Sequence, residues 1–198
     1  TRLAIIDLET GDQPIQDKRG TVIVANGEIY NYIELRKSLG EKNFLTKSDS
    51  ESPLLMYELN GTAFTQGLRG MYAVAIADPH NHHIQLARDP FGIKPLYVTE
   101  GDFGLAFASE PQAFLAAGLV EPEVDPQARD AFLQLQFSTG RQTLFRGVER
   151  ILPGETITVS GGRVVSCRRP SALPESRGKF ASEDEALQAF DAALEDTV

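Results

Sequence analysis

The sequence has no tryptophan and a single cysteine, Cys167, so no disulfide can form within the chain. Its three histidines, His80, His82 and His83, share one polar stretch that reads as a solvated turn, and no Cys/His grouping has the spacing of a metal site. These absences fit a reducing compartment, and the expectation is a cytoplasmic protein. Positive charge is scarce too: 19 Lys and Arg stand against 28 Asp and Glu, a net charge of -9. No nucleic-acid partner and no membrane partner is expected of such a chain. No apolar run approaches the roughly 20 residues that cross a bilayer. The opening Thr1-Arg2-Leu3-Ala4 lacks the layout of a signal peptide.

The rest of the composition, 41% hydrophobic and 24% charged over 198 residues, suits one well-packed domain with an appendage. The chain opens without Met on an apolar run, Leu3-Ala4-Ile5-Ile6. It closes inside a helical pattern from Ser182, with a capping box to Glu185 and an apolar stripe at Ala186, Leu187, Phe190, Ala193 and Leu194. Both ends point to a piece of a longer polypeptide.

Between them, Val22–Ala25 and Met71–Ala77 are apolar at nearly every position, which predicts strands buried on both faces. Further strands are expected at Ile84–Ala87, Leu96–Val98 and Leu105–Ala108, with a turn at Asp78-Pro79-His80-Asn81. Asn31 can cap a helix over Tyr32–Leu39 that ends at Gly40, and Asp49 or Ser50 can begin another that runs to Asn60. Ser109 precedes a short helix, and Asp125-Pro126 opens one through Leu135. Glu155–Val159 and Arg163–Ser166 flank Gly161-Gly162 as a hairpin, and Arg168–Lys179 reads as linker. Helices around a hairpin-rich sheet region, with doubly buried strands, fit an α+β four-layer αββα sandwich with antiparallel sheets.

The segment Val24-Ala25-Asn26-Gly27-Glu28-Ile29 has two readings. Asn26-Gly27 forms a tight turn between strand and helix, as this dipeptide commonly does. Alternatively, the Asn26 amide and the Gly27 N–H converge as an oxyanion hole for acyl transfer.

The surrounding phrases bear on that choice. Arg2-Leu3-Ala4-Ile5-Ile6-Asp7, Asn26-Gly27-Glu28-Ile29-Tyr30-Asn31 and Ser48-Asp49-Ser50-Glu51 occur in order. Gly70-Met71-Tyr72-Ala73, Arg88-Asp89-Pro90-Phe91-Gly92-Ile93-Lys94-Pro95-Leu96-Tyr97 and Phe107-Ala108-Ser109-Glu110 follow. With these phrases the chain resembles the glutaminase domain of glutamine-dependent asparagine synthetases, a class II glutamine amidotransferase family. The resemblance implies an N-terminal-nucleophile hydrolase sandwich. It also implies a cysteine nucleophile whose own α-amino group is its base, attacking the side-chain amide of glutamine and releasing ammonia. That cysteine precedes the arginine phrase in the family and is absent from this sequence, so these residues alone are expected to be inactive.

By resemblance, Arg2 pairs with the glutamine α-carboxylate, and Leu3, Ala4, Ile5 and Ile6 line the same wall. Asn26 and Gly27 hold the oxyanion, and Glu28 and Asp49 bind the α-ammonium. Read alone, Arg2 is also a plausible solvated terminal arginine and Asp49 a helix cap. The implied organisation is an amidotransferase domain over 1–160, a hairpin end and linker over 161–181, and at 182–198 the first helix of an ATP-dependent synthetase domain. No cofactor is expected in this chain; ATP and Mg would act in the synthetase domain, amidating aspartate or another carboxylate. Partners implied are glutamine and that synthetase domain, and the resemblance leaves a homodimer open.

Arg88-Asp89-Pro90-Phe91-Gly92 reads either as a strand end with an adjacent ion pair and a Pro/Gly turn, or as an interface toward the synthetase domain. Ser160-Gly161-Gly162 is followed by Arg163-Val164-Val165, so it reads as a turn and not as a pyrophosphate loop. Cys167 lies in a basic linker with no His nearby in sequence, a poor setting for a nucleophile. Two further readings remain: Thr1 as the nucleophile of a threonine-peptidase-like enzyme, and a glutamine-binding module without turnover.

Overall fold

The computed structural model describes residues 11–138, 140–171, 173, 180–195 and 197. In chain order these form β1 (Ile15–Gln16), β2 (Val22–Ile29), α1 (Tyr32–Leu39), α2 (Ser52–Asn60), β3 (Gly70–Asp78), β4 (His83–Arg88), β5 (Tyr97–Gly101) and β6 (Gly104–Ala108). There follow α3 (Gln112–Ala116), α4 (Pro126–Leu135), β7 (Glu149–Arg150), β8 (Thr156–Ser160), β9 (Arg163–Arg168) and α5 (Glu183–Glu195). The strands make a six-stranded sheet, β1-β2-β3-β4-β8-β9, and a three-stranded one, β6-β5-β7. Every pairing between these strands is antiparallel.

Side-chain alternation along β3 builds two cores. Tyr72, Val74 and Ile76 point to one face, where they meet Ile23 and Ile29 of β2, Leu35 of α1, Leu54, Met56 and Tyr57 of α2, and Phe64. Ala73 and Ala75 point to the other, where Leu86, Ile157 and Val159 pack against Leu96, Val98 and Ile151 from the region of the smaller sheet. Fully buried side chains such as Ile76 and Leu86 each contribute about 1.5–3 kcal/mol through removal from water. The expected double burial thus holds for β3. In β2 it does not: Val24 is 37% exposed, because its inner face borders a cleft. On the smaller sheet α3 packs against β6 through the buried Phe114. Neither α4 nor α5 has a buried residue, and Leu187, Phe190 and Leu194 are exposed.

Local signals explain several boundaries. Asp125 caps α4 by accepting from the Ala128 N–H at 2.9 Å, and Ser182 accepts from the Glu185 N–H at 3.2 Å ahead of α5. Gly161 and Gly162, at φ 57° and 75°, make the β8–β9 turn, so the Ser160-Gly161-Gly162 stretch is a hairpin as expected. Other expectations need correction. Asn31 precedes α1, but its side chain spans to the loop before β3, donating to Gly67 O at 3.0 Å and accepting from Arg69 N at 2.9 Å. Cys167 belongs to β9, not to a linker. His83 stands on β4 within 2.7 Å of the Tyr57 hydroxyl, and His80 reaches Arg19 O, so these two are partnered.

Arg88 and Asp89 do not form the simple ion pair expected. Arg88, 7% exposed, donates to the carbonyls of Lys94, Gly92 and Ile151 at 2.6–2.7 Å. Asp89, fully buried, accepts from the N–H groups of Phe91, Ile93 and Lys94 at 3.0–3.1 Å. Two buried charges are satisfied by backbone dipoles, which fixes the loop and leaves Phe91 and Ile93 exposed.

Asp17 in the β1–β2 loop and Glu58 on α2 are neighbouring carboxyl groups. Burial and then the neighbouring Asp17 push Glu58 upward. Against burial, which raises it, Asp17 is held low by the neighbouring Glu58 and by hydrogen bonds from the backbone N–H groups of Thr21 and Arg19. A raised Glu58 binds its proton more tightly in the folded state, so stability is lost as pH rises from the ordinary Glu value, about 4.3, through the folded one. Asp17, held low, acts in the opposite sense and loses its contribution as pH falls. Glu58→Gln keeps a donor toward Asp17 and removes the like charge. Urea unfolding at pH 5 and 7.5 is expected to show the variant gaining on the original at the higher pH, by less than about 1 kcal/mol for so exposed a pair. An equal difference at both pH values would contradict the coupling.

Candidate functional site

The larger sheet has six strands and the smaller three, so part of the inner face of β2 and β3 lies uncovered among the described residues. A cavity of about 320 Å³ opens there, lined by Gln13, Val24, Asn26, Ala73, Ala75, Leu96, Phe107 and Ser109. The small side chains of Ala73 and Ala75 leave the room, and Asn26 pairs with Ala73 across the strands, on the same face.

Asn26-Gly27 is not a turn. Both residues lie inside β2, opposite Ala73 and Tyr72. The strand continues because Gly27 has no side chain: a Cβ there would lie 2.0 Å from Met71 O and 2.7 Å from Tyr72 Cα. Its φ of 151° is likewise a glycine conformation. Gly70 makes the reciprocal close approach, a Cβ there falling 2.1 Å from Glu28 O.

Among the described residues, the edge of β2 away from β3 is paired with β1 only at Val22 and Ile23. Beyond that, side chains cap it: Ala25 N donates to Gln13 Oε1 at 2.7 Å, and Ile29 N donates to Asp49 Oδ2 at 2.8 Å. Tyr30 N, of opposite parity, donates toward the β3 side, to Arg69 O. Strand alternation therefore turns the Gly27 N–H to that same edge, between two capped neighbours. Asn26 extends its side chain into the cavity, with Nδ2 3.4 Å from Ser109 Oγ.

Glu28 shares the inner face with Asn26, and its Oε1 is buried with no hydrogen-bond partner among the described residues. Asp49, 5% exposed, lies in a 3₁₀ turn over Asp49–Glu51 and ties that turn to the end of β2. Asp49 is thus held at the end of β2 by Ile29, the residue after Glu28, beyond Asn26 and Gly27. The Asp49 side chain does not cap its own turn; Ser48 does, accepting from Ser50 N at 3.2 Å. Arg2, Leu3, Ala4, Ile5 and Ile6 lie outside the described residues. Gln13 and Ser109 were not singled out from the sequence for any role here. Ser109 belongs to the Phe107-Ala108-Ser109-Glu110 phrase, but nothing in one dimension places it across a cleft from Asn26.

A larger cavity, about 530 Å³, lies at the other flank, lined by Val98, Arg141, Glu155, Val164 and Cys167 among others. Its most buried charges, Arg141 and Glu155, are spent on each other. Glu155, fully buried, accepts from Arg141, from the Cys167 thiol at 2.9 Å and from Leu152 N at 2.7 Å. Arg146 pairs with Glu123. Cys167 is exposed as a residue, yet its Sγ rests against Glu155, and burial and that carboxylate push the thiol up. A protonated thiol is a poor nucleophile, in line with the sequence reading of Cys167. Volume therefore favours one cavity and chemistry the other; the Asn26 amide in its wall, not size, marks the β2 cleft.

Residues 1–169 match the family model described as glutamine amidotransferase domain. Among curated relatives, asparagine synthetase [glutamine-hydrolyzing] 1 of Bacillus subtilis is 39% identical over 161 residues, covering 80% of this chain and 25% of that protein. Asparagine synthetase [glutamine-hydrolyzing] 2 of the same organism is 46% identical over 110 residues, 55% of this chain and 15% of that protein. The chain thus spans a quarter or less of the length of these relatives. Among solved structures, glutamine phosphoribosylpyrophosphate amidotransferase from B. subtilis superposes with a TM-score of 0.58 at 22% identity, over 81% of this chain and 32% of that one. This agreement is one of fold, the N-terminal-nucleophile hydrolase sandwich with antiparallel sheets. On the strength of the family match over residues 1–169, this chain belongs to the glutamine amidotransferase domain family.

Proposed function

We propose that the β2 cleft binds L-glutamine and supports hydrolysis of its side-chain amide to glutamate and ammonia. The observation that carries this reading is the arrangement along β2: a neutral amide donor at Asn26 in the cavity wall, the Gly27 N–H beside it on the strand, and, two residues from Asn26 on the same face though not in the cavity lining, a buried carboxylate oxygen at Glu28 without a partner among the described residues. Side chains two apart on a strand are separated by about 6.7 Å, a spacing comparable with that between the carboxamide and the α-ammonium of an extended glutamine. Asn26 Nδ2 and the Gly27 N–H would receive the negative oxygen that develops when the amide carbon is attacked. Glu28 and Asp49 would hold the α-ammonium, and Arg2 the α-carboxylate through a bidentate guanidinium. The attacking group is the cysteine thiolate implied by the resemblance, with its own α-amine as base; the resulting thioester is then cleaved by water. In the complete polypeptide the ammonia would be consumed in ATP- and Mg-dependent amidation of aspartate.

The test is glutamine kinetics on the full-length protein carrying this domain. Arg2→Lys keeps the charge and loses the fork; Asp49→Asn keeps an oxygen for the Ile29 N–H and loses the charge. Both contact a part of glutamine whose charge does not change in the reaction, so their contribution is uniform binding. Each is expected to raise the KM for glutamine at least about tenfold, about 1.4 kcal/mol. Synthesis supported by free ammonia is expected to be unchanged. A collapse of kcat at unaltered KM would contradict these assignments.

A further inference from the structure

We infer that Ser109 is a positioning residue for the Asn26 amide, and this rests on the oxyanion role proposed for Asn26. Asn26 belongs to the larger sheet and Ser109 follows the last residue of β6 in the smaller one, 83 positions later in the chain. Their side chains meet across the cleft, Nδ2 to Oγ at 3.4 Å, and both line the cavity of about 320 Å³. A carboxamide has one face that donates and one that accepts, and it can be rotated by a half turn with little change in shape. Only the orientation with Nδ2 inward stabilises a developing oxyanion; the flipped amide would set its own oxygen against the negative charge. Ser109 Oγ accepts one Nδ2 hydrogen and leaves the second for the substrate oxygen. Among the described residues, Gln13 is the other polar side chain lining the cavity, but its Oε1 is committed to Ala25 N. At 3.4 Å the Ser109 contact is long, as catalytic hydrogen bonds often are before substrate binds. Because Ser109 comes from the opposite sheet, the orientation of the amide is coupled to the separation of the two sheets at the mouth of the cleft.

The test uses the full-length protein and initial rates of glutamine hydrolysis. Ser109→Ala is expected to lower kcat about tenfold, the effect of one net hydrogen bond, with KM within about twofold. Ser109→Thr, which keeps the hydroxyl, is expected to restore most of the rate. In an Asn26→Ala background, Ser109→Ala is expected to cause no further loss, since no amide remains to orient. A wild-type kcat in Ser109→Ala, a KM change as large as the kcat change, no recovery in Ser109→Thr, or a full tenfold loss in the Asn26→Ala background would overturn the proposal. If Asn26→Ala itself hydrolyses glutamine at the original rate, the oxyanion assignment has failed and takes this one with it. That outcome is read from the single variant alone.

Discussion

Gly27→Ala is expected to cost about 3 kcal/mol or more of folding stability, the range of severe strain or overpacking. An added Cβ would meet two backbone atoms of β3, Met71 O at 2.0 Å and Tyr72 Cα at 2.7 Å. Neither can swing aside as a flexible side chain does. Relief requires the central β2–β3 pair to part, and the buried face of Ile23, Ile29, Tyr72 and Val74 rides on that pair. Gly161→Ala provides the comparison: φ there is 57°, but nothing lies within 4 Å of the added atom. It should cost only the left-handed penalty, about 1–2 kcal/mol. Thermal melts of the 198-residue polypeptide should place Gly27→Ala about 6–12 °C below the original, at about 2–4 °C per kcal/mol. Equal shifts for the two variants would show that β2 and β3 are not in such close contact.

The same glycine shows where the sequence misleads. Asn-Gly is a strong local turn signal, and nothing within a short window says that a neighbouring carbonyl will press against that position. Tertiary approach overrides the local preference, so a strand runs through residues that read as its end. Arg88-Asp89 misleads for a related reason. Adjacent opposite charges suggest an ion pair, but burial makes each more valuable as a partner for backbone groups, three carbonyls for Arg88 and three amides for Asp89. His83 was legible as polar but not as the partner of Tyr57, which comes from another element.

What was legible had local causes. The doubly apolar run at Met71–Ala77 marked the central strand, Asp125 marked the start of α4, and Gly161-Gly162 marked the hairpin. The two-residue strands β1 and β7 carry no periodicity to detect. Of the site, Asn26, Gly27, Glu28 and Asp49 came from ordered phrases, and the structure gathers them around one strand. The edge position of the Gly27 N–H and the Ser109 contact depend on sheet geometry and could not be read in one dimension.

If Asn26 holds the negative oxygen of the reacting amide, its removal must separate glutamine-driven from ammonia-driven turnover. The most direct measurement compares glutamine-driven and ammonia-driven turnover of full-length protein with and without Asn26→Ala. Asn26 is only partly buried and contributes to the cavity wall, not to either packed core, so its truncation should leave the fold intact. Loss of one oxyanion donor is expected to lower kcat for glutamine hydrolysis about 10²–10³-fold, about 2.7–4 kcal/mol. Turnover with free ammonia bypasses the tetrahedral intermediate and should stay at the original rate. Equal loss of both activities would make Asn26 a structural residue, and an unchanged glutamine rate would place the oxyanion hole elsewhere.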